Sequence, residues 1–171
     1  HINLENSVPE QLGLSIFGES EFTVDVTVTG KKYVVSSLDP DDLEVTANTN
    51  YVDGSGEKTL QIKVTPKEQN SDYVISSYSQ NYIEVFFDTY KEVEVSLEGK
   101  IITDLKSFVP DGCRPGDTVF SRNTLLISGP ATEINKITNV VAEITIDKEI
   151  EKTTTFEPVI KIVTNDGTTP E

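Results

Sequence analysis

The sequence predicts a mainly β fold of two tandem, related small domains, residues 1–88 and 89–171, of which the second lacks its closing strand. Three observations predict it. Apolar and polar residues alternate with the period of a half-buried strand in many short runs. A strand that ends at a glycine and continues into an apolar half-turn occurs twice. Each copy of this device is followed by a Val/Ala-rich strand and, later, by an Ile-Lys-Val or Ile-Lys-Ile strand.

The repeated device is clearest within residues 124–137. A short apolar strand, Leu125–Ile127, runs into Gly129 and Pro130, which end it, and a helix-like half-turn follows. The earlier copy is the alternating run Phe22–Val28, which ends at Gly30. Because a repeat of this length reflects whole structural units, it is the best guide to the architecture.

The register of the two copies follows from subtraction. The first copy carries a loop at residues 38–43 that the second shortens, and loops change length at little free-energy cost. The difference in residue number between matched positions therefore changes only between elements and not within them. Matched positions are Gly30 with Gly129 (129 − 30 = 99), Ala47 with Ala142 (142 − 47 = 95) and Ile62 with Ile160 (160 − 62 = 98).

This order of elements resembles the YbbR domain, and the resemblance covers nearly the whole chain. It implies one complete domain of that family and most of a second. It also implies the extracytoplasmic part of the regulator of a membrane-bound diadenylate cyclase in Gram-positive bacteria, with that cyclase as partner in cyclic di-AMP synthesis. In the family a single membrane-spanning helix precedes the repeats, so the resemblance implies a soluble fragment of a membrane-anchored protein.

In the first copy, Ile2 and Leu4 are interpreted as the tail of a strand and Val8–Gly13 as a turn-prone connection. Alternation and turn signals then predict four strands, with a short segment, Tyr73–Ser76, before the last of them. The strands are Phe22–Val28, Leu43–Ala47, Lys58–Val64 and Tyr82–Phe87.

The second copy begins after a polar gap, Asp88–Glu92, with alternation at Val93, Val95 and Leu97. Ile134 and Ile137 share one face of its half-turn. Further strands are predicted over 140–146 and 156–163, and no closing strand equivalent to Tyr82–Phe87 follows. Because an unpaired strand edge is a template for another chain, we expect either a less stable second domain or self-association through that edge.

The chain has 171 residues and a formal net charge of −15. Nucleic-acid and anionic membrane partners are disfavoured, because both need clustered Lys and Arg. The charge is typical of a soluble surface. No apolar run approaches the ~20 residues that span a bilayer, and neither a signal peptide nor a methionine is present, which favours an excised or mature piece.

No pattern predicts catalytic, cofactor-binding or metal-binding residues. Cys113 is the only cysteine and lies in a turn-rich stretch, where an exposed thiol is expected, and the only histidine is His1. Asp39, Asp41 and Asp42 match no complete calcium loop and are interpreted as turn and capping residues. Glu92 and Glu94 read as a solvated strand face. We therefore expect a non-enzyme without a cofactor or a direct small-molecule ligand.

Three hypotheses for the function remain. The first is the regulatory module that the resemblance implies. The second is a cell-surface adhesion or spacer array of immunoglobulin-like sandwiches, which has a similar acidic, β-rich composition. The third is a carbohydrate-binding wall protein, the weakest because the chain has no tryptophan. Four tyrosines are candidates for anchoring a partner, although such residues also cover small cores. They are Tyr33, Tyr51, Tyr78 and Tyr82.

Overall fold

A computed structural model describes residues 2–68 and 72–165. The chain divides into two compact units, His1–Thr89 and Tyr90–Glu171. The terminal His1 considered above lies outside the described residues. Each unit is mainly β and has a buried apolar core of its own strands.

The first unit contains two one-turn helices and most of six strands. A 3₁₀ turn, Pro40–Asp42, precedes the third strand, and residues 82–89 are the part of the long sixth strand that lies in this unit. The elements are α1 (Val8–Gln11), β1 (Leu14–Phe17), β2 (Val26–Gly30), α2 (Lys32–Val35), β3 (Leu43–Asn48), β4 (Gly56–Pro66), β5 (Tyr73–Tyr78) and β6 (Tyr82–Ile101).

The first unit pairs β3, β4 and β6 in that order, all antiparallel, with β1 on residues 86–89 of β6. A separate two-stranded ladder joins β2 to β5. Alternate residues of β4 and β6 point into one core, because successive strand residues face opposite sides. That core includes Leu60, Ile62 and Val64 from β4 and Ile83, Val85 and Phe87 from β6.

The beginning of the chain differs from the sequence-based interpretation. The predicted turn-prone connection is the helix α1, whose Ser7 caps it by accepting a hydrogen bond from the Glu10 N–H at 3.4 Å. Gly13, at φ 69°, ends this helix, and the unpredicted strand β1 follows. Ile2 and Leu4 belong to no strand and instead pack against the core.

The strand predicted over Phe22–Val28 begins only at Val26. Its apolar residues are half-buried and its polar residues exposed, as alternation indicated. The ladder stops because its partner β5 ends at Tyr78. Beyond that point side chains replace it: the Asp25 N–H donates to Ser79 Oγ at 3.0 Å, and Gln80 Nε2 donates to the Thr23 carbonyl at 3.2 Å.

The second unit takes residues 90–101 of β6 and adds three strands and one helical turn. β7 is antiparallel to residues 90–96 of β6, β8 is parallel to residues 97–101, and β9 is antiparallel to β8. The core includes Ile134, Val140, Ala142, Ile144 and Ile146. A 3₁₀ turn occupies Leu105–Phe108, and the remaining elements are β7 (Thr124–Pro130), α3 (Ala131–Ile134), β8 (Ile137–Ile144) and β9 (Val159–Thr164).

Three boundaries in this region were predicted wrongly. The polar gap 88–92 is strand, because Asp88 pairs with β1 and residues 90–92 pair with β7. Ile137 begins β8 and is not part of the half-turn, which ends at Ile134. The last strand starts at Val159 rather than Phe156, directly after Pro158, which has no N–H to donate to a ladder.

Asp88 is a buried carboxylate, 1% exposed. Its Oδ1 accepts hydrogen bonds from Ser55 Oγ at 2.9 Å and from the Thr89 N–H at 2.7 Å. Because a buried charge needs such partners, these bonds offset the cost of removing the carboxylate from water.

Candidate functional site

The two units contain matched strand pairs. In the first, β3 and β4 place Ala47 opposite Ile62. In the second, β8 and β9 place Ala142 opposite Ile160. These are the residues that the sequence offsets matched, so both hairpins have the same register at this pair.

In each unit a part of β6 pairs with the hairpin, but it pairs with the second strand of one hairpin and the first strand of the other. Residues 82–87 of β6 pair with β4, which leaves β3 at the edge of the first unit's sheet among the described residues. Residues 97–101 of β6 pair with β8, which leaves β9 at the edge of the second. One hairpin is therefore covered on its second strand and the other on its first strand.

The burial of matched side chains reverses accordingly. Ile62 is 3% exposed, whereas its match Ile160 is 43% exposed. Val45 is 51% exposed, whereas Val140, at the same offset as Ala47 and Ala142, is 0% exposed. A covered strand buries its apolar residues, and an edge strand does not.

The β9 edge, residues 159–164, combines an open ladder with apolar side chains. Val159, Ile160 and Val163 are all exposed. Lys161 is held by an ion pair to Glu143 on β8, with Nζ 2.5 Å from Oε2. In the part of the chain that the structure describes, β9 pairs only with β8, so its other side offers backbone donors and acceptors to an added strand.

The β3 edge is chemically different. Its exposed side chains include Glu44 and Thr46, and Val45 is its one exposed large apolar residue among those described. A charged, polar edge strand pairs less readily with another chain. The β9 edge is therefore the stronger candidate for an interaction site.

The structure places the sequence-predicted residues in ordinary structural roles. Cys113 is exposed, as predicted, and its N–H donates to the Pro110 carbonyl at 3.0 Å in a turn. The capping interpretation of Asp39 and Asp42 is confirmed, since the Asp39 N–H donates to Asp42 Oδ2 at 2.8 Å at the start of the 3₁₀ turn. Glu92 and Glu94 lie on the exposed face of β6, also as predicted.

Within the described ranges, no group of three or more His, Cys, Asp or Glu side chains has the arrangement of a metal site. None of the helices in those ranges has the length and apolar character needed to cross a bilayer.

The tyrosines divide into two groups. Tyr33, Tyr51 and Tyr82 are exposed. Tyr78 is half-buried and its hydroxyl donates to the Ile62 carbonyl at 3.4 Å, so it packs against the first unit's core. The sequence did not single out Tyr73, which is buried and donates its hydroxyl to the Asp42 carbonyl at 3.2 Å. Burial, together with the negative charge of Asp42, raises the pKa of Tyr73.

These features define the class of the protein: two small, mainly β units, the second with an apolar strand edge that is open among the described residues. The structure is similar to that of a YbbR-like protein from Streptococcus pneumoniae TIGR4, with a TM-score of 0.43 and 14% sequence identity over 92% of this chain and 78% of that one. That protein bears the name of the family that the sequence resembles. No family model and no curated protein matches the chain.

Proposed function

We propose that this chain is a non-enzymatic interaction module of YbbR type. It acts at the extracytoplasmic face of the membrane, as part of a membrane-anchored protein, and regulates a membrane-bound diadenylate cyclase. The cyclase, the anchor and the location come from the resemblance of the sequence. The observation that carries the interaction role is the β9 edge.

The β9 edge supports this role because it is suited to adding a strand from a partner. In such recognition, backbone hydrogen bonds supply affinity and alternate side chains supply specificity. Exposed apolar side chains lie on both faces of β9: Val159 and Val163 on one and Ile160 on the other. A strand laid along this edge would bury apolar surface on both faces of the sheet.

The first unit indicates the chemistry of the partner strand. Its β4, which matches β9, is covered by residues 82–87, which run antiparallel and turn Ile83, Val85 and Phe87 inward. By this match, the segment that pairs with β9 is an extended, antiparallel strand with large apolar residues at alternate positions.

The function is tested in cells that carry the anchored full-length protein and the cyclase, with cyclic di-AMP measured by mass spectrometry. Deleting the two units should change the nucleotide level, and Ile160→Lys combined with Val163→Lys should reproduce much of that change. Charged residues on an edge strand oppose strand addition. The matched control is Val45→Lys on the β3 edge, which should leave the level unchanged.

Two results would contradict the proposal. Unaltered cyclic di-AMP in the deletion strain, under both growth and cell-wall stress, would favour the immunoglobulin-like spacer or adhesion role. Light scattering of the isolated chain provides the second readout: a dimer abolished by the β9 variants, with cyclase regulation intact in those variants, would assign the edge to self-association.

A further inference from the structure

A cleft in the first unit lies where β3 ends and the loop 49–55 passes beside β4. It has a volume of about 250 Å³. Its apolar lining is Val52 and Leu60, which are both buried. Tyr51 and Tyr82 also line it, and they are 86% and 58% exposed. Because Val52 and Leu60 are only 3% and 2% exposed, the surface that the cleft offers to a ligand comes mainly from the tyrosines and the polar side chains.

Sheet register brings the polar groups of this cleft together. Asn48 on β3 lies opposite Gln61 on β4, and Gln61 lies opposite Tyr82 on β6. Because residues directly opposite in an antiparallel pair share a face, the two amides and the tyrosine form one row across three strands. This row is on the face opposite the buried Leu60 and Ile62.

The loop places Tyr51 at this row through a local turn. Asn48 Oδ1 accepts a hydrogen bond from the Asn50 N–H at 3.0 Å, and the Val52 N–H donates to the Thr49 carbonyl at 3.1 Å. With its oxygen engaged in the turn, the Asn48 amide presents its NH₂ group as the donor for a ligand. Gln61 adds an amide that can both donate and accept.

The charges around the cleft favour a neutral ligand. The one ionisable amine that lines it, Lys58 Nζ, is 2.6 Å from Asp53 Oδ1. The hydrogen bond and charge of Lys58 lower the pKa of Asp53, and the two side chains form an ion pair. An anionic ligand would have to compete with Asp53, and a cationic ligand would meet Lys58. The row of amides instead suits a ligand rich in uncharged hydroxyl groups.

We propose that this cleft binds a neutral carbohydrate, with Tyr51 and Tyr82 against the sugar rings and Asn48 and Gln61 on the hydroxyl groups. Its volume is below the ~300–1,000 Å³ of typical ligand pockets, so it holds only one or two rings. A neighbouring cleft of about 410 Å³ is lined in part by the same two amides.

This inference differs from the sequence-based expectation of no direct small-molecule ligand. It is independent of the proposed cyclase regulation, because it concerns only the first unit and does not use β9. The absence of tryptophan made carbohydrate binding the weakest hypothesis from the sequence. The sequence does not show that three strands place Tyr82 beside the amides, with Tyr51 next to them.

The test is a titration of the ¹⁵N-labelled chain with chitotetraose and with maltotetraose, followed by amide chemical shifts. At least one sugar should shift amides of residues 48–52 and 58–61 at concentrations up to about 10 mM, since a shallow site binds weakly. Tyr51→Ala should weaken binding about tenfold or more, through loss of the aromatic contact. Tyr51→Phe should retain most of the affinity.

The control variant is Tyr33→Ala, which removes a tyrosine that is 69% exposed and does not line the cleft. It should bind as the unaltered chain does. The proposal is overturned if neither sugar shifts these amides, or if Tyr51→Ala and Tyr33→Ala bind alike. It is also overturned if a tetra-alanine peptide shifts the same amides and the sugars do not, since the cleft would then be a peptide site.

Discussion

The hairpins β3–β4 and β8–β9 match in sequence and in the register of their Ala–Ile pair, yet they bury opposite strands. In the first unit β4 is interior and β3 is the edge. In the second unit β8 is interior, and β9 is the edge within residues 2–68 and 72–165. The difference shows that local sequence determines which residues pair across a hairpin, whereas the position of the third strand determines which of them leave water.

The largest expected effect in this comparison is at the isoleucine pair. Ile62→Ala should lower the free energy of unfolding of the first unit by about 2–5 kcal/mol, because it leaves a cavity under a covered strand. Ile160→Ala should cost the second unit less than about 1 kcal/mol, since its side chain is already half in water. Urea denaturation followed by residue-resolved NMR measures both, and equal losses would show that β9 is covered in solution.

The valine pair should respond in the opposite sense. Val140→Ala removes two buried methyl groups from the second unit and should cost about 2 kcal/mol. Val45→Ala, in the first unit, should change stability by no more than about 0.5 kcal/mol. The same denaturation experiment applies. If the larger loss of unfolding free energy fell in the same unit for both pairs, a general difference in stability between the units would explain the results better than strand coverage.

The matched glycines test a closer contact. A Cβ on Gly30 would lie 2.9 Å from the Asp72 carbonyl oxygen and 3.0 Å from Tyr73 Cβ, whereas at Gly129 the nearest atom is Ile134 Cδ1 at 3.9 Å. Gly30→Ala should therefore destabilise by about 1–3 kcal/mol, because backbone must move. Gly129→Ala should be neutral or slightly stabilising. Thermal melts of the two variants measure this difference. A larger loss of stability for Gly129→Ala than for Gly30→Ala would contradict the prediction.

The smallest expected effect is a pH dependence of stability, and it concerns the first unit alone. The folded state raises the pKa of Tyr73, so it holds the phenol proton more tightly than the unfolded chain. The associated stability is present below the unfolded value of about 10 and is lost as pH rises through the higher folded pKa. Tyr73→Phe should reduce this alkaline loss. The check is urea denaturation from neutral to alkaline pH; identical curves for both proteins would exclude Tyr73 as the cause.

Alternation in the sequence located β4 and β8 well, because each buries one face and so carries a period of two. Alternation failed where pairing with a distant strand decides whether a residue belongs to a strand. Asp88 looked like part of a polar gap, but its pairing with β1 makes it strand and its hydrogen bonds permit burial. The start of β2 at Val26 likewise depends on where β5 ends.

The candidate site was predictable only in part. The sequence analysis expected no counterpart of residues 82–87 in the second copy, but the residues after 165 lie outside the described ranges; within those ranges β9 is an edge strand. The pairing of residues 82–87 with β4 rather than with β3 has no local signal, so the open β3 edge was not foreseen. The carbohydrate cleft was also hidden, because Asn48, Gln61 and Tyr82 meet only through inter-strand register.

The two-stranded ladder of the first unit also has a consequence for the order of folding. It pairs Val26 with Tyr78, 52 positions apart (78 − 26), whereas β3 and β4 are joined by the short loop 49–55. Closing a longer loop costs more chain entropy, and contacts between distant residues slow folding. We therefore expect the β3–β4 hairpin to form early and the β2–β5 ladder to be among the last contacts made, which sets the folding time of the first unit.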